Sequence, residues 1–268
     1  HIVAQVPSSV PTDGLVGYYP FNGNSNDETG NGYNGNASNV NFVYDDRYDN
    51  PNSAVSFNSV NSIIIVDNFS HEFISGISIS FWMYYQGFDD NPNKSIALLH
   101  RRTANNIDFD LSFSANDDIA MHLGAVTQLG PNVDNPNWTH YVITFDGQTM
   151  KYYVNNQLDG EFDASSNGQI TNVDSTLEIG QYSDMTGSIG FEGGLDDLGF
   201  WDRALSEQEI TNLYNSNSSD ECLTMTINTG ILSTNPVAYN STVNIYPNPA
   251  NDQITIDCGN LDNVEGWN

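Results

Sequence analysis

Ile77-Ser78-Ile79-Ser80-Phe81-Trp82-Met83-Tyr84 is the stretch on which the fold turns. Ile77, Ile79 and Phe81 fall on one side by period two, while Ser78 and Ser80 fall on the other, so the run reads as a β-strand with one buried face and one wetter face. Working outward, the same kind of run recurs at Ile63-Ile64-Ile65-Val66, at residues 107–113 (IDFDLSF) and at residues 139–145 (THYVITF). Gly, Asn, Asp and Pro separate these runs from about residue 14 to residue 203, which is the punctuation of short sandwich strands. Asp146-Gly147 and Asn155-Asn156 stand between apolar runs where hairpin turns need positive φ. Residues 139–163 are therefore expected as consecutive antiparallel strands. The expected class is all-β, an antiparallel β-sandwich.

One helix is predicted at the end of this body, over residues 206–214 (SEQEITNLY). Ser206 and Glu209 have capping-box spacing, and Leu205 with Ile210 occupies the staple positions. The polar run 215–220 has no apolar period and marks a boundary. The expected organisation is a lead-in at 1–13, a sandwich over 14–218, a linker at 219–242 and a short β segment at 243–268. In that last segment Val243-Asn244-Ile245-Tyr246 and Gln253-Ile254-Thr255-Ile256-Asp257 read as two strands hinged at Pro247-Asn248-Pro249, because two prolines cannot lie inside a central strand. So few strands are marginal alone.

The 268 residues are 38% hydrophobic and 12% aromatic, with 14 Tyr and 13 Phe, enough for a packed core and more aromatic than a disordered acidic tail. Against 34 Asp plus Glu there are 6 Lys plus Arg, a formal net charge of -28. Nucleic acid and anionic membrane are excluded as partners, since both repel such a surface. No run of about 18 apolar residues exists, so no membrane insertion is expected. The opening His1-Ile2-Val3-Ala4-Gln5 reads as a processed start. Cys222 and Cys258 have neither Cys-x-x-Cys spacing nor a companion His cluster, which argues against zinc and redox chemistry; a disulfide between them and two free thiols both stay open.

Three ordered stretches carry a resemblance. Residues 15–24 (LVGYYPFNGN) with 26–35 (NDETGNGYNG), residues 137–147 (NWTHYVITFDG) and residues 194–206 (GLDDLGFWDRALS) resemble laminin-G-like modules of exported proteins from Bacteroidetes-type bacteria. The resemblance covers about 200 residues and implies a concanavalin A-like jelly roll. Residues 243–256 (VNIYPNPANDQITI) are similar to the start of type A sorting domains. That implies an encounter with the type IX secretion machinery and a secreted or outer-surface location.

The chemistry expected is binding without catalysis. The glucanase pattern of carboxylates alternating along one strand is absent around Glu178 and around Asp196-Asp197, and there is no Gly-x-Ser-x-Gly elbow, His-Glu-x-x-His helix or phosphate-cradling Gly-Lys loop. The Asn, Asp and Gly density of residues 22–35 is the feature most like a metal site, because calcium takes six to eight oxygens from carboxylates, amides and carbonyls. Asp27 is its natural anchor, with Asn31 and Asn34 as further oxygen donors. The resemblance adds Asp196, by implying that the first and last strands are neighbours. The competing reading is a turn in which Asn and Asp bond their own backbone. Trp82, Trp138 and Trp201 read as core. A sugar site, if built, draws on the aromatic loops 84–91 (YYQGFDDN) and 44–48 (YDDRY), with Tyr48, Tyr85, Phe88 and Asp90 as its residues. The function expected is a secreted carbohydrate-binding or adhesive module with structural calcium. An accessory module of a polysaccharide-degrading enzyme and a structural or protein-binding spacer are the alternatives.

Overall fold

The computed structural model describes residues 6–58, 61–86, 96–102, 107–114, 118–124, 126–133, 136–165, 170, 176–181 and 189–216, with two short strands beyond them. In chain order the strands are β1 (Leu15–Tyr19), β2 (Asn36–Ser38), β3 (Val40–Tyr44), β4 (Ala54–Phe57), β5 (Ile63–Val66) and β6 (Ile77–Tyr85). They continue with β7 (Ile96–Arg102), β8 (Ile107–Phe113), β9 (Asp118–Leu123), β10 (Val126–Asn132), β11 (Thr139–Phe145) and β12 (Thr149–Val154). Then follow β13 (Gln157–Asp163), β14 (Leu177–Ile179), β15 (Ile189–Gly190), β16 (Gly193–Trp201), helix α1 (Glu207–Tyr214), β17 (Ile245–Pro247) and β18 (Ile254–Ile256).

Two eight-stranded sheets make the sandwich. One runs β13-β12-β11-β6-β16-β4-β3 with β1 on β16, and the other runs β10-β9-β8-β7-β14-β5-β2 with β15 on β7. All of these pairings are antiparallel apart from β15 with β7. The period-two reading of β6 holds in detail: Phe81, Ile79 and Ile77 stand opposite Tyr141, Ile143 and Phe145 of β11, and all six side chains enter the core. Phe109, Leu111 and Phe113 of β8 and Ile119, Met121 and Leu123 of β9 meet them from the other sheet. Burial of each such side chain contributes roughly 1.5–3 kcal/mol. The hairpins form where expected, with Gly147 at φ 91° and Asn155 and Asn156 at φ 46° and 65°.

The serine side of β6 is less wet than its sequence implies. Ser78 and Ser80 are buried because the chain after β16 folds back over this face. Leu205 N donates to Ser78 Oγ (2.9 Å), Ser78 Oγ donates to the Arg203 carbonyl (2.7 Å), and Ser80 Oγ shares a hydrogen bond with His140 Nε2 (2.9 Å). Helix α1 follows with its full capping box, and Leu205 and Ile210 are both buried as a staple requires. Arg203 forks onto Glu209 (3.0 and 2.6 Å), and that pairing holds the Glu209 carboxyl down at about 2. Tyr214 at the helix end stacks on Trp82, with ring centroids 5.6 Å apart and planes 16° from parallel.

The compact unit containing the sandwich spans Pro11–Asn215. Part of the expected lead-in belongs to it: the Pro11 carbonyl accepts from Trp201 Nε1 (2.7 Å), and the Gly14 carbonyl from Asp202 N (2.9 Å). A second unit comprises His1–Val10 and Ser216–Asn268, in which β17 and β18 pair with Ile245 opposite Ile256. The expected linker, Cys222 and Cys258 lie outside the described residues. Among the described residues no helix is long and apolar enough to cross a membrane.

Candidate functional site: an aromatic platform

The loop expected to hold calcium is closed on itself. Asp27 Oδ1 accepts from Tyr18 N (3.2 Å), Thr29 N (3.0 Å) and Thr29 Oγ1 (2.7 Å), while Oδ2 accepts from Tyr33 N (3.1 Å) and Thr29 Oγ1 (2.9 Å). Asp27 N donates to Asn34 Oδ1 (2.9 Å), and Asn31 Nδ2 donates to the Val16 carbonyl (2.9 Å). Both oxygens of Asp27 thus face N–H and O–H donors, whose positive ends a cation would meet head-on. As arranged, the carboxylate serves as the organiser of a turn, the competing reading of this loop. Among the described residues, no group of three or more His, Cys, Asp or Glu side chains is placed to hold a metal ion.

Asp196 is engaged by a cation of the chain itself. Strands β1 and β16 are neighbours as the resemblance implies. Yet Asp196 stands opposite Trp82 of β6, and its Oδ2 receives Arg47 Nη1 at 2.8 Å. A bulge between Asp196 and Gly199, with Asp197 at φ 48°, presents two successive carboxylates to that one guanidinium. Arg47 Nη1 also reaches Asp197 Oδ2 at 2.8 Å, and the Tyr18 hydroxyl donates to Asp197 Oδ1 at 2.5 Å. Burial opposes the charge of Arg47, but Asp197 and Asp196 outweigh it and hold its pKa above the usual arginine value. The guanidinium lies 4.6 Å from the Trp82 ring and 4.7 Å from the Tyr48 ring, in cation–π range. His140, buried beside Trp82 with ring centroids 5.0 Å apart, is driven down to about 3 by burial and by Arg47, so it stays neutral.

Next to this cluster on the same sheet face lies a group of half-exposed rings. Tyr84 is two residues along β6 from Trp82, and Gly194 is two residues along β16 from Asp196, with the two directly opposite each other. Trp138 immediately precedes β11, and Tyr44 ends β3. Their ring centroids are 6.2 Å (Tyr44–Tyr84), 6.3 Å (Tyr44–Trp138) and 6.0 Å (Tyr84–Trp138) apart. Gly194 makes this convergence possible: a Cβ there would stand 2.9 Å from Trp138 Cη2 and 3.0 Å from Tyr44 Cε1. Gln86, exposed at the end of β6, donates from Nε2 to the Tyr44 hydroxyl (3.1 Å). The 46–50 loop below is fixed by Asp46, whose Oδ1 accepts from Tyr48 N (2.8 Å) and Asn50 N (2.9 Å) and whose Oδ2 accepts from Asn50 Nδ2 (3.0 Å). The result is three rings sharing one patch, with amide and hydroxyl groups at hand and little freedom to lose on binding.

Of the expected ligand residues, Tyr48 is on the surface at 39% exposure beside Arg47. Tyr85 is a correction: it is 5% exposed and packs into the core 6.2 Å from Phe113, because it continues the inward series Ile77, Ile79, Phe81, Met83. Phe88 and Asp90 lie outside the described residues. Trp82 and Trp201 are buried as expected, whereas Trp138 is half-exposed. Trp138 is the platform ring that sequence reasoning placed in the core; Tyr44 and Tyr84 belong to the two aromatic stretches, 44–48 and 84–91, from which a sugar site was expected to draw, but neither was among its expected ligand residues. For Tyr84 the signal was present, since carrying the alternation one step past Met83 puts it outside.

Register assembles one further group, on the other sheet. Glu178, His100, Asp110 and His122 stand directly opposite one another across β14, β7, β8 and β9, ending on Thr127 of β10, whose Oγ1 lies 2.8 Å from His122 Nδ1. Glu178, His100 and Asp110 are only 4–6% exposed, so they offer a ligand no surface comparable with the platform.

Two antiparallel sheets closed face to face over an aromatic core, with no long helix among the described residues, define the lectin-like sandwich class. The family model described as the concanavalin A-like lectin/glucanases superfamily, of laminin G type, matches residues 55–211, and the chain belongs to that superfamily. A search of curated proteins finds no match. Among solved structures, the binding domain of Paraclostridial Mosquitocidal Protein 1 is similar at a TM-score of 0.62 and 19% identity, over 76% of this chain and 52% of that one. The binding domain of botulinum neurotoxin DC in complex with SialylT is similar at 0.56 and 16%, over 76% and 52%. The Trypanosoma rangeli sialidase in complex with 2,3-difluorosialic acid is similar at 0.54 and 16%, over 80% and 36%. At these identities the likeness is one of fold, and the chain spans about half the length of the two binding domains.

Proposed function

We propose that this chain is a non-catalytic carbohydrate-binding module whose ligand face is the Tyr44–Tyr84–Trp138 platform. The convergence of three half-exposed rings over Gly194 carries the reading. Pyranose rings have apolar faces that stack on aromatic side chains, and their hydroxyls need the amide and hydroxyl groups that Gln86 and the tyrosines place beside them. The similarity of fold to the binding domains of Paraclostridial Mosquitocidal Protein 1 and of botulinum neurotoxin DC, the latter in complex with SialylT, favours binding over turnover. The platform needs no metal. The test is a glycan array probed with the full chain and with Trp138→Ala, with circular dichroism to confirm the fold of each. Retention of an oligosaccharide by the full chain and its loss from a folded Trp138→Ala supports the reading. Equal retention by both, or retention of nothing by the full chain while protein partners are captured, contradicts it.

A further inference from the structure

The platform also carries an electrostatic signature that narrows its ligand. Arg47 is the one described basic side chain beside it, and that guanidinium is already shared between Asp196 and Asp197 at 2.8 Å each. Two carboxylates against one guanidinium leave the cluster with a net negative charge. The other basic side chains whose contacts are described are also committed: Arg101 to Asp108, Lys151 to Glu161 (3.3 Å) and Arg203 to Glu209. Around the rings, Asp45 and Asp49 are exposed in the loop that carries Tyr44 and Tyr48. Glu192, half-exposed, accepts Gln86 N at its carbonyl (3.4 Å) at the far edge. Among the described residues the formal charges around the patch therefore sum to a negative value, in a chain whose formal charge is -28. A carboxylate, sulfate or sialyl group brought to these rings finds repulsion, and the one basic side chain described beside them is already held by two carboxylates. An uncharged sugar meets only the rings and their hydrogen-bonding groups.

Resting on the carbohydrate reading above, we infer that the platform takes neutral hexose glycans and rejects their anionic counterparts. The sandwich fold shared with the SialylT-bound domain does not extend to ligand charge, because selectivity lives in the side chains grafted on the fold. The pairing of Arg47 with both Asp196 and Asp197 sets the preference. Releasing that guanidinium would supply the cation that an anionic sugar lacks.

The test is an array that pairs neutral hexose oligosaccharides with their uronate, sialylated and sulfated counterparts, followed by titration of the best pair at low and high salt. The full chain is expected to bind the neutral member at least about tenfold more tightly at low salt, with the gap narrowing as salt screens the repulsion. In a folded Asp197→Asn variant the gap is expected to shrink, since one of the two carboxylates on Arg47 is gone. If that variant does not fold, the salt titration of the unmodified chain still decides. Equal or tighter binding of the anionic member, or a preference that salt leaves unchanged, overturns the inference while leaving the carbohydrate reading intact. Binding of neither member overturns both.

Discussion

The loop at residues 22–35 and the platform at Tyr44, Tyr84 and Trp138 are opposite cases of how a site relates to the sequence that encodes it. The loop is local: Asp27, Thr29, Asn31, Tyr33 and Asn34 lie within eight positions of one another, and their polar groups are spent on each other and on β1. The platform is non-local, drawing one ring each from β3, β6 and the approach to β11, and clearing space for them with a glycine of β16. Dense Asn, Asp and Gly in sequence announced chemistry and delivered a satisfied turn. Three aromatics scattered over about a hundred positions delivered a surface.

If the loop is structural, Asp27→Ala should be costly and indifferent to calcium. It strips a buried acceptor from five hydrogen-bond contacts, and losing a buried network of this kind costs about 2–4 kcal/mol. Urea unfolding should read that loss, while EDTA leaves the melting temperature of the unmodified chain where it was. A fall in melting temperature on chelation that calcium restores would put a metal back at the loop.

Acid offers a graded perturbation, aimed at the side of the platform. His140 is lowered from 6.5 to about 3 in the folded chain, so between those values the unfolded chain binds the extra proton. The stability that this depressed pKa supplies is complete above pH 6.5 and is lost as pH falls toward 3. Its slope is at most about 1.4 kcal/mol per pH unit. Replacing His140 with Gln should flatten this part of the pH–stability profile, read by urea midpoints at successive pH values. An unchanged profile would mean that other groups set it.

What could be read in advance follows the same division. The period-two pattern at 77–84, the Asp-Gly and Asn-Asn turns, the capping box at Ser206 and the pairing of first with last strand are local or motif-bound, and each is found in the fold. Asp196 was placed correctly on its strand, but its partner was not legible. Only the bulge between Asp196 and Gly199 turns it and Asp197 together onto Arg47, roughly 150 positions away in sequence. Tyr85 was expected at the surface because the strand was ended at Tyr84, whereas β6 runs on to Tyr85 and so adds it to the inward series; in a strand one position decides which face a side chain takes. Trp138 read as core because it borders an apolar strand, whereas its half-exposure follows from falling on the outer parity of β11, in step with His140.

The account's central claim is that the outward ring of β6 binds sugar, without metal. Tyr84→Ala should alter stability least of these changes, by under about 1 kcal/mol, since the ring is half-exposed and no core contact is lost. The direct measurement is calorimetric titration of the array-selected neutral oligosaccharide into the full chain and into Tyr84→Ala, both in EDTA. The account predicts saturable heat for the full chain and at least about a tenfold weaker affinity for a variant with a nearly unchanged melting temperature. Undiminished affinity in Tyr84→Ala, or binding by the full chain that EDTA abolishes, would contradict it.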